Sequence, residues 1–198
     1  MKQLLLDIKP AAPATLTNFI TGRNAEALAS IKQAATHRFI YLWGEKGCGK
    51  SHLLSACEAH GICVVDDVHL LDNDAQIALF NTFNQLKESG GMLITAGLHA
   101  PTQMGLRDYV ATRLAWGLVY QLQPLNDAEK ALALKNHAIE RGIKLPAEVI
   151  DYCLRHLRRD LPTLMATLDA LDEWSLTMQK PVNVLMLRKL LQLNLDIE

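Results

Sequence analysis

Gly44-Glu45-Lys46-Gly47-Cys48-Gly49-Lys50-Ser51 lies between the apolar run Phe39-Ile40-Tyr41-Leu42-Trp43 and a helix-spaced stretch beginning near Lys50, and it decides the fold. The octet satisfies GxxxxGK[ST] at every fixed position, in the strand-then-helix setting that the pattern requires. Its glycines let backbone N–H groups curl round phosphate oxygens, and the helix N-terminus adds its positive dipole end. Lys50 is expected to reach the outer phosphates of ADP or ATP, and Ser51 to offer its hydroxyl to magnesium. Glu45, Lys46, Cys48 and His52 are the remaining residues expected to wall the nucleotide. A glycine-rich turn matching by chance would not need these flanking elements.

Downstream, Ile62-Cys63-Val64-Val65 reads as a short buried strand that ends on Asp66-Asp67. Two carboxylates at a strand end are by themselves a polar cap. Beside a phosphate loop they read as a metal-holding Asp66 and an Asp67 that orients or deprotonates an attacking water. The spacing further predicts a helix over about 24–35, a helix over 74–87 on Ile77, Phe80, Phe83 and Leu86, and strands at 91–95 and 118–122. Strand, loop, helix, strand, helix, strand describes an α/β fold with a parallel sheet sandwiched by helices. This nucleotide-binding domain is expected to cover residues 10–124.

After Pro124 strand signals nearly vanish. Asn126-x-x-Glu129 reads as a capping box, and helices follow from about Pro146, Pro162 and Asn183. Residues 125–198 are therefore expected to form a small all-α domain. Ahead of everything, residues 1–9 form a short apolar peptide followed by the Pro10–Ala14 linker.

The rest of the composition excludes more than it assigns. With 198 residues, 49% hydrophobic and 21% charged, the chain has the make-up of an ordinary globular protein. Its net charge of -1 gives no overall basic field for binding nucleic acid by itself. No run suits a membrane span, and Asp7 and Lys9 break the N-terminal apolar stretch too early for a signal peptide. The four cysteines and seven histidines show no metal spacing, so reduced thiols and a cytoplasmic setting are expected.

Gly47-Cys48-Gly49-Lys50-Ser51-His52-Leu53-Leu54, Val65-Asp66-Asp67-Val68 and Arg113-Leu114-Ala115-Trp116-Gly117-Leu118 resemble, in order, signature blocks of the DnaA-related AAA+ family. Asn18 to Asn24, which includes Ile20 as a candidate nucleotide contact, is similar to that family's N-terminal box near the adenine. On spacing alone Arg113 is a solvated or ion-paired residue; the resemblance makes it a candidate arginine finger. The helical segment then corresponds to the family's lid domain. Initiators of this family carry a further helix-turn-helix domain. The sequence ends at Glu198, right after the lid, and is expected not to be an initiator.

Gln3-Leu4-Leu5-Leu6-Asp7-Ile8 is similar to the QLxLxL-type peptides that dock onto the DNA sliding clamp, the beta subunit of DNA polymerase III. Leu4, Leu6 and Ile8 would fill an apolar pocket and Gln3 would make hydrogen bonds; the other reading is an ordinary frayed terminus. With this peptide, the chain resembles the family's regulatory inactivators of DnaA, which implies contact with the clamp, with DnaA, and with DNA only through the clamp. A self-sufficient ATPase of helicase-loader type and a non-catalytic clamp adaptor stay open, as does a homo-oligomer.

Three departures from the family bear on activity. Only His60 and Gly61 separate the phosphate-loop helix from the next strand, where the family places a further strand and helix. Gly97 stands where a polar sensor is usual. Pro162 stands where the lid normally supplies an Arg to the γ-phosphate. Nucleotide binding with little turnover is the expectation.

Overall fold

The computed structural model describes residues 13–158 and 160–195. They form two compact units, residues 13–125 and the helices from 126 onward.

In the first unit a four-stranded, all-parallel sheet has the order β2-β3-β1-β4, with β1 Phe39–Trp43, β2 Cys63–Val65, β3 Leu93–Gly97 and β4 Leu118–Gln121. β1 and β3 are central and read as continuous apolar runs because both of their faces are covered. Alternation sorts their side chains. Ile40 and Leu42 join Ile31, Leu53, Leu54 and Cys57 on one face, and Phe39 and Tyr41 join Val68, Leu79, Phe83 and Leu114 on the other. The first face is covered by α1 Ala25–Lys32 and α3 Lys50–Glu58, the second by α4 Asn73–Ser89 and α5 Asp108–Leu114. β2 is an edge strand of three residues, the consequence of the short His60-Gly61 connection. Such brevity is itself a protection against edge pairing.

Several boundaries differ from the sequence reading for identifiable reasons. The helix over 24–35 is two pieces, α1 and a single turn α2 at Ala34–His37, because Gln33 leaves the helical conformation at φ -104° and ψ 25°; the chain then turns sharply at Arg38, which has φ 37°. The Arg38 guanidinium donates to Gly91 O, Leu86 O and Lys87 O, bracing that turn against the end of α4. β3 starts at Leu93 rather than 91, since the Gly91 N–H bonds back to Leu86 O and closes α4. On α4 the buried stripe is Gln76, Leu79 and Phe83, whereas Ile77 is exposed; a strict interval of three drifts off a 3.6-residue face. Gln76 is buried because its amide donates to Leu71 O and accepts from Arg107 N–H. α5 has no counterpart in the sequence reading.

The second unit contains α6 Asp127–Glu140, α7 Ala147–His156, α8 Leu161–Met178 and α9 Val184–Leu195. The Asn126 capping box is formed in both directions, Asp160 caps α8, and Asn183 accepts from the Met186 N–H. Leu134, Val149, Cys153, Leu164, Leu168 and Leu187 make its core. Asp169 on α8 binds His137 of α6 and Arg141, the residue that ends it, at 2.6 and 3.1 Å. Among the described residues no helix is long and apolar enough to cross a membrane.

Candidate functional site

β1 runs directly into the loop Gly44–Gly49, and α3 begins at Lys50. The connection from β1 passes over β3 to reach β2, so the loop lies at the carboxyl end of the strands beside the switch in strand order. Gly49 has φ 100°, and the Phe19 ring lies 2.7 Å from where a Cβ would stand. No other residue meets both demands without strain.

Lys50 is almost fully buried, and its ammonium donates to Gly44 O at 2.7 Å and Glu45 O at 3.0 Å. Cys48, also buried, has its sulfur 3.7 Å from the same nitrogen. Ser51 Oγ donates to Asp66 Oδ2 at 2.6 Å, and Asp66 Oδ1 accepts the Asp67 N–H at 2.8 Å. Asp67 is left-handed at φ 47° and mostly exposed. The hydroxyl–carboxylate pair is a donor set of hard oxygens, which suits a magnesium ion brought by a nucleotide. Among the described residues no cluster of three or more His, Cys, Asp or Glu could hold a metal by itself.

His52 is oriented from upstream: its Nε2 bonds Thr15 O at 3.0 Å and its ring lies 5.6 Å from that of Phe19. Ile20 is half-buried next to Phe19, while Glu45 and Lys46 are exposed. The box is anchored by Asn24, its last residue. Its side chain donates to Gln123 O and accepts from Gln123 N–H, at 2.9 and 2.8 Å, just beyond β4. Gln3, Leu4, Leu6 and Ile8 lie outside the described residues.

At Gly97 a Cβ would come 2.3 Å from the Tyr41 hydroxyl, with Met104 Sδ and Val68 Cγ2 at 3.0 Å. The hydroxyl donates to His99 O at 2.7 Å, and burial raises its pKa, keeping it a donor. The room for a sensor side chain is therefore taken by Tyr41. Burial likewise pushes the Cys57 and Cys153 thiols up to about 11, and all four cysteines are free.

Arg113 lies in the last turn of α5, with its Nε donating to Asn84 Oδ1 at 3.3 Å and its guanidinium 5.2 Å from the Phe80 ring and 5.7 Å from that of Phe83. It shares a small cavity with Phe39, Ile40 and Leu93, in the first halves of β1 and β3. The phosphate loop is at the other end of the same strands. Asn84 is thus a positioning residue for Arg113, on a helix 29 residues away in sequence.

Two family models match: "Hda, lid domain" over residues 127–191 and "Bacterial DnaA ATPAse domain" over residues 57–121. Domain III of the Thermotoga maritima replication initiation protein DnaA aligns with TM-score 0.73 and 21% identity, over 93% of this chain and 98% of that one. AMPPCP-bound DnaA from Aquifex aeolicus aligns with TM-score 0.68 and 23% identity, over 80% of this chain and 65% of that one. The Thermotoga maritima RuvB Holliday junction branch migration motor gives TM-score 0.65 and 14% identity, over 89% of this chain and 70% of that one. At these identities the structures establish the fold, and the two family models establish the kinship. The chain is an Hda-like, DnaA-related AAA+ protein.

Proposed function

We propose that this chain binds ADP or ATP with magnesium in its phosphate loop, docks on the DNA sliding clamp and promotes hydrolysis of ATP held by DnaA. Nucleotide binding is supported by the phosphate loop, the Ser51–Asp66 pair and the AMPPCP-bound Aquifex relative. Gly44 to Ser51 would wrap the phosphates, with His52 and Ile20 flanking the nucleoside. Ser51 and Asp66 would hold the magnesium, which supplies charge neutralisation on the phosphates. Asp67, exposed and next to Asp66, is the carboxylate available to a water.

The observation that carries the reading is the place of Arg113. It is half-buried on an aromatic bed at the opposite end of the sheet from the chain's own phosphate loop. An arginine there serves a neighbouring protein's nucleotide rather than its own. A self-sufficient ATPase is disfavoured because Tyr41 fills the sensor space and Pro162 stands in the lid-arginine position. The reconstituted test mixes ATP-loaded DnaA, clamp-loaded DNA and this chain, and measures phosphate release. No stimulation by the chain overturns the reading.

The isolated chain should turn over ATP far below the ordinary enzyme value of about 10 per second. A steady-state assay on the purified protein at or above that rate would show that Gly97 and Pro162 do not disable the site.

The clamp assignment rests on residues 1–8. Changing Gln3, Leu4 and Leu6 together to Ala removes two apolar anchors, each worth roughly 1.5–3 kcal/mol when buried. Clamp affinity by surface plasmon resonance should fall by about a hundredfold or more. Equal binding by wild type and triple variant would leave the segment an ordinary terminus.

A further inference from the structure

We propose that Trp116 and Lys87 form the docking anchor for the ATP-bearing partner, a surface separate from the arginine that acts on its nucleotide. This inference rests on the reading of Arg113 above and adds the face through which the partner is held. Trp116 is 54% exposed, among the most exposed large apolar side chains in this unit. It is held rigidly all the same. Its ring meets Phe39 and Phe83 edge-on, both at 5.7 Å, and the following Gly117 is pressed so close to β1 that a Cβ would fall 2.1 Å from Phe39 O. Lys87 Nζ sits 4.3 Å from the centre of the indole. A pre-ordered aromatic with a cation on it binds without paying for its own ordering, and Trp is the residue type most enriched at interface hot spots.

Beside the indole opens a cleft of about 340 Å³ lined by His37, Arg38, Phe39 and Gly117, at the start of β1 and β4. Arg38, Lys87 and Arg113 are all cationic here, and among the described residues none of them is paired with a carboxylate. In a chain of net charge -1, this end of the sheet is a local patch of unneutralised positive charge. It fits an acidic surface that also carries an apolar side chain to fill the cleft.

The same body that receives Arg113 must cover this patch. Arg113 lies 5.7 Å from the Phe83 ring, and Trp116 packs edge-on against that ring. A partner close enough to draw the guanidinium towards its γ-phosphate therefore lies against Trp116 as well. The division of labour is testable: Trp116 and Lys87 set how tightly the partner is held, and Arg113 sets how fast its ATP is cleaved.

The test titrates this chain into ATP-loaded DnaA with clamp-loaded DNA and separates the half-saturating concentration from the saturated rate. Trp116→Ala should raise the half-saturating concentration by about tenfold or more and leave the saturated rate within about twofold. Lys87→Glu, at an exposed position outside the packed rings, should raise it severalfold, more so at low salt. A melting curve for each variant checks that it is folded, and Lys87→Glu keeps the test open if Trp116→Ala is not. Direct binding to immobilised ATP-loaded DnaA, followed by surface plasmon resonance in the Arg113→Ala background, should show the same order of affinities without any hydrolysis. If stimulation is absent but this binding depends on Trp116 and Lys87, the hydrolysis reading falls and the docking surface stands. Unchanged half-saturation and unchanged binding in both variants overturn the docking surface. It is equally overturned if the two substitutions instead abolish self-association in sedimentation, or binding of a single-stranded oligonucleotide, while DnaA binding is intact.

Discussion

Replacing Arg113 with Ala should lower the stimulated hydrolysis of DnaA-bound ATP by roughly 10³–10⁵, the range found for arginine fingers. The transition state of phosphoryl transfer spreads negative charge over the γ-phosphoryl oxygens, and a guanidinium brought by a neighbour stabilises it. The chain's own fold does not depend heavily on this residue. Its local partners are the Asn84 side chain and the faces of Phe80 and Phe83. Losing contacts of this kind costs about 1–2 kcal/mol in a half-buried setting. ADP affinity and clamp binding should therefore stay near wild type. Arg113→Lys keeps a positive charge but loses the planar fork, so it should rescue poorly. Phosphate release by ATP-loaded DnaA on clamp-loaded DNA compares the three proteins. Equal stimulation by wild type and Arg113→Ala would remove the trans-acting role and leave a clamp-bound adaptor.

Local sequence carried the phosphate loop, because strand, glycine loop and helix follow one another between Phe39 and Glu58 and each signal is short-range. Asp66-Asp67 was legible for the same reason, and the structure brings Asp66 to Ser51 at 2.6 Å. The capping box at Asn126 and the helix start at Asn183 were readable, since a cap spans three residues; the Asp160 cap, two residues before the Pro162 start, was not read. The missing segment between α3 and β2 could be counted directly, and with it the edge position of β2.

What escaped was non-local. α5 is seven residues long, has no side-chain cap and buries only Val110 and Leu114, too little pattern to announce a helix. Without α5 the setting of Arg113 could not be seen, nor the Asn84 amide that holds it. Gly97 was noticed as a departure, but its cause is Tyr41, whose hydroxyl fills the space from the neighbouring strand. His52 reads as a nucleotide contact because of its place after Ser51. Its ring bonds Thr15 O and packs against Phe19, partners far upstream that no local pattern announces. Short motifs locate chemistry; the side chains that orient it come from whichever strand or helix the topology puts alongside.

Lys50→Ala should weaken ADP binding by about tenfold to a hundredfold, because charge-assisted contacts to phosphate are worth roughly 1.5–3 kcal/mol. The geometry adds a second component of opposite sign. The Lys50 ammonium donates to Gly44 O and Glu45 O and is buried within the loop, so engaging a phosphate means exchanging neutral carbonyl partners for an anion. The exchange is favourable, since a bond from a cation to an anion is roughly twice as strong as one to a neutral acceptor. Removing Lys50 also frees those two carbonyls, and the loop loses its internal brace. Lys50→Met separates the two effects: it fills much of the same volume with no charge, so any further loss in Lys50→Ala reports the collapse of the loop around the missing side chain. Calorimetry with ADP and magnesium, run beside thermal melting, measures both quantities. Both variants should lose affinity by at least about tenfold, with Ala the less stable of the two. If Lys50→Ala binds ADP as tightly as wild type, the ammonium does not reach a phosphate and the loop is not a nucleotide site.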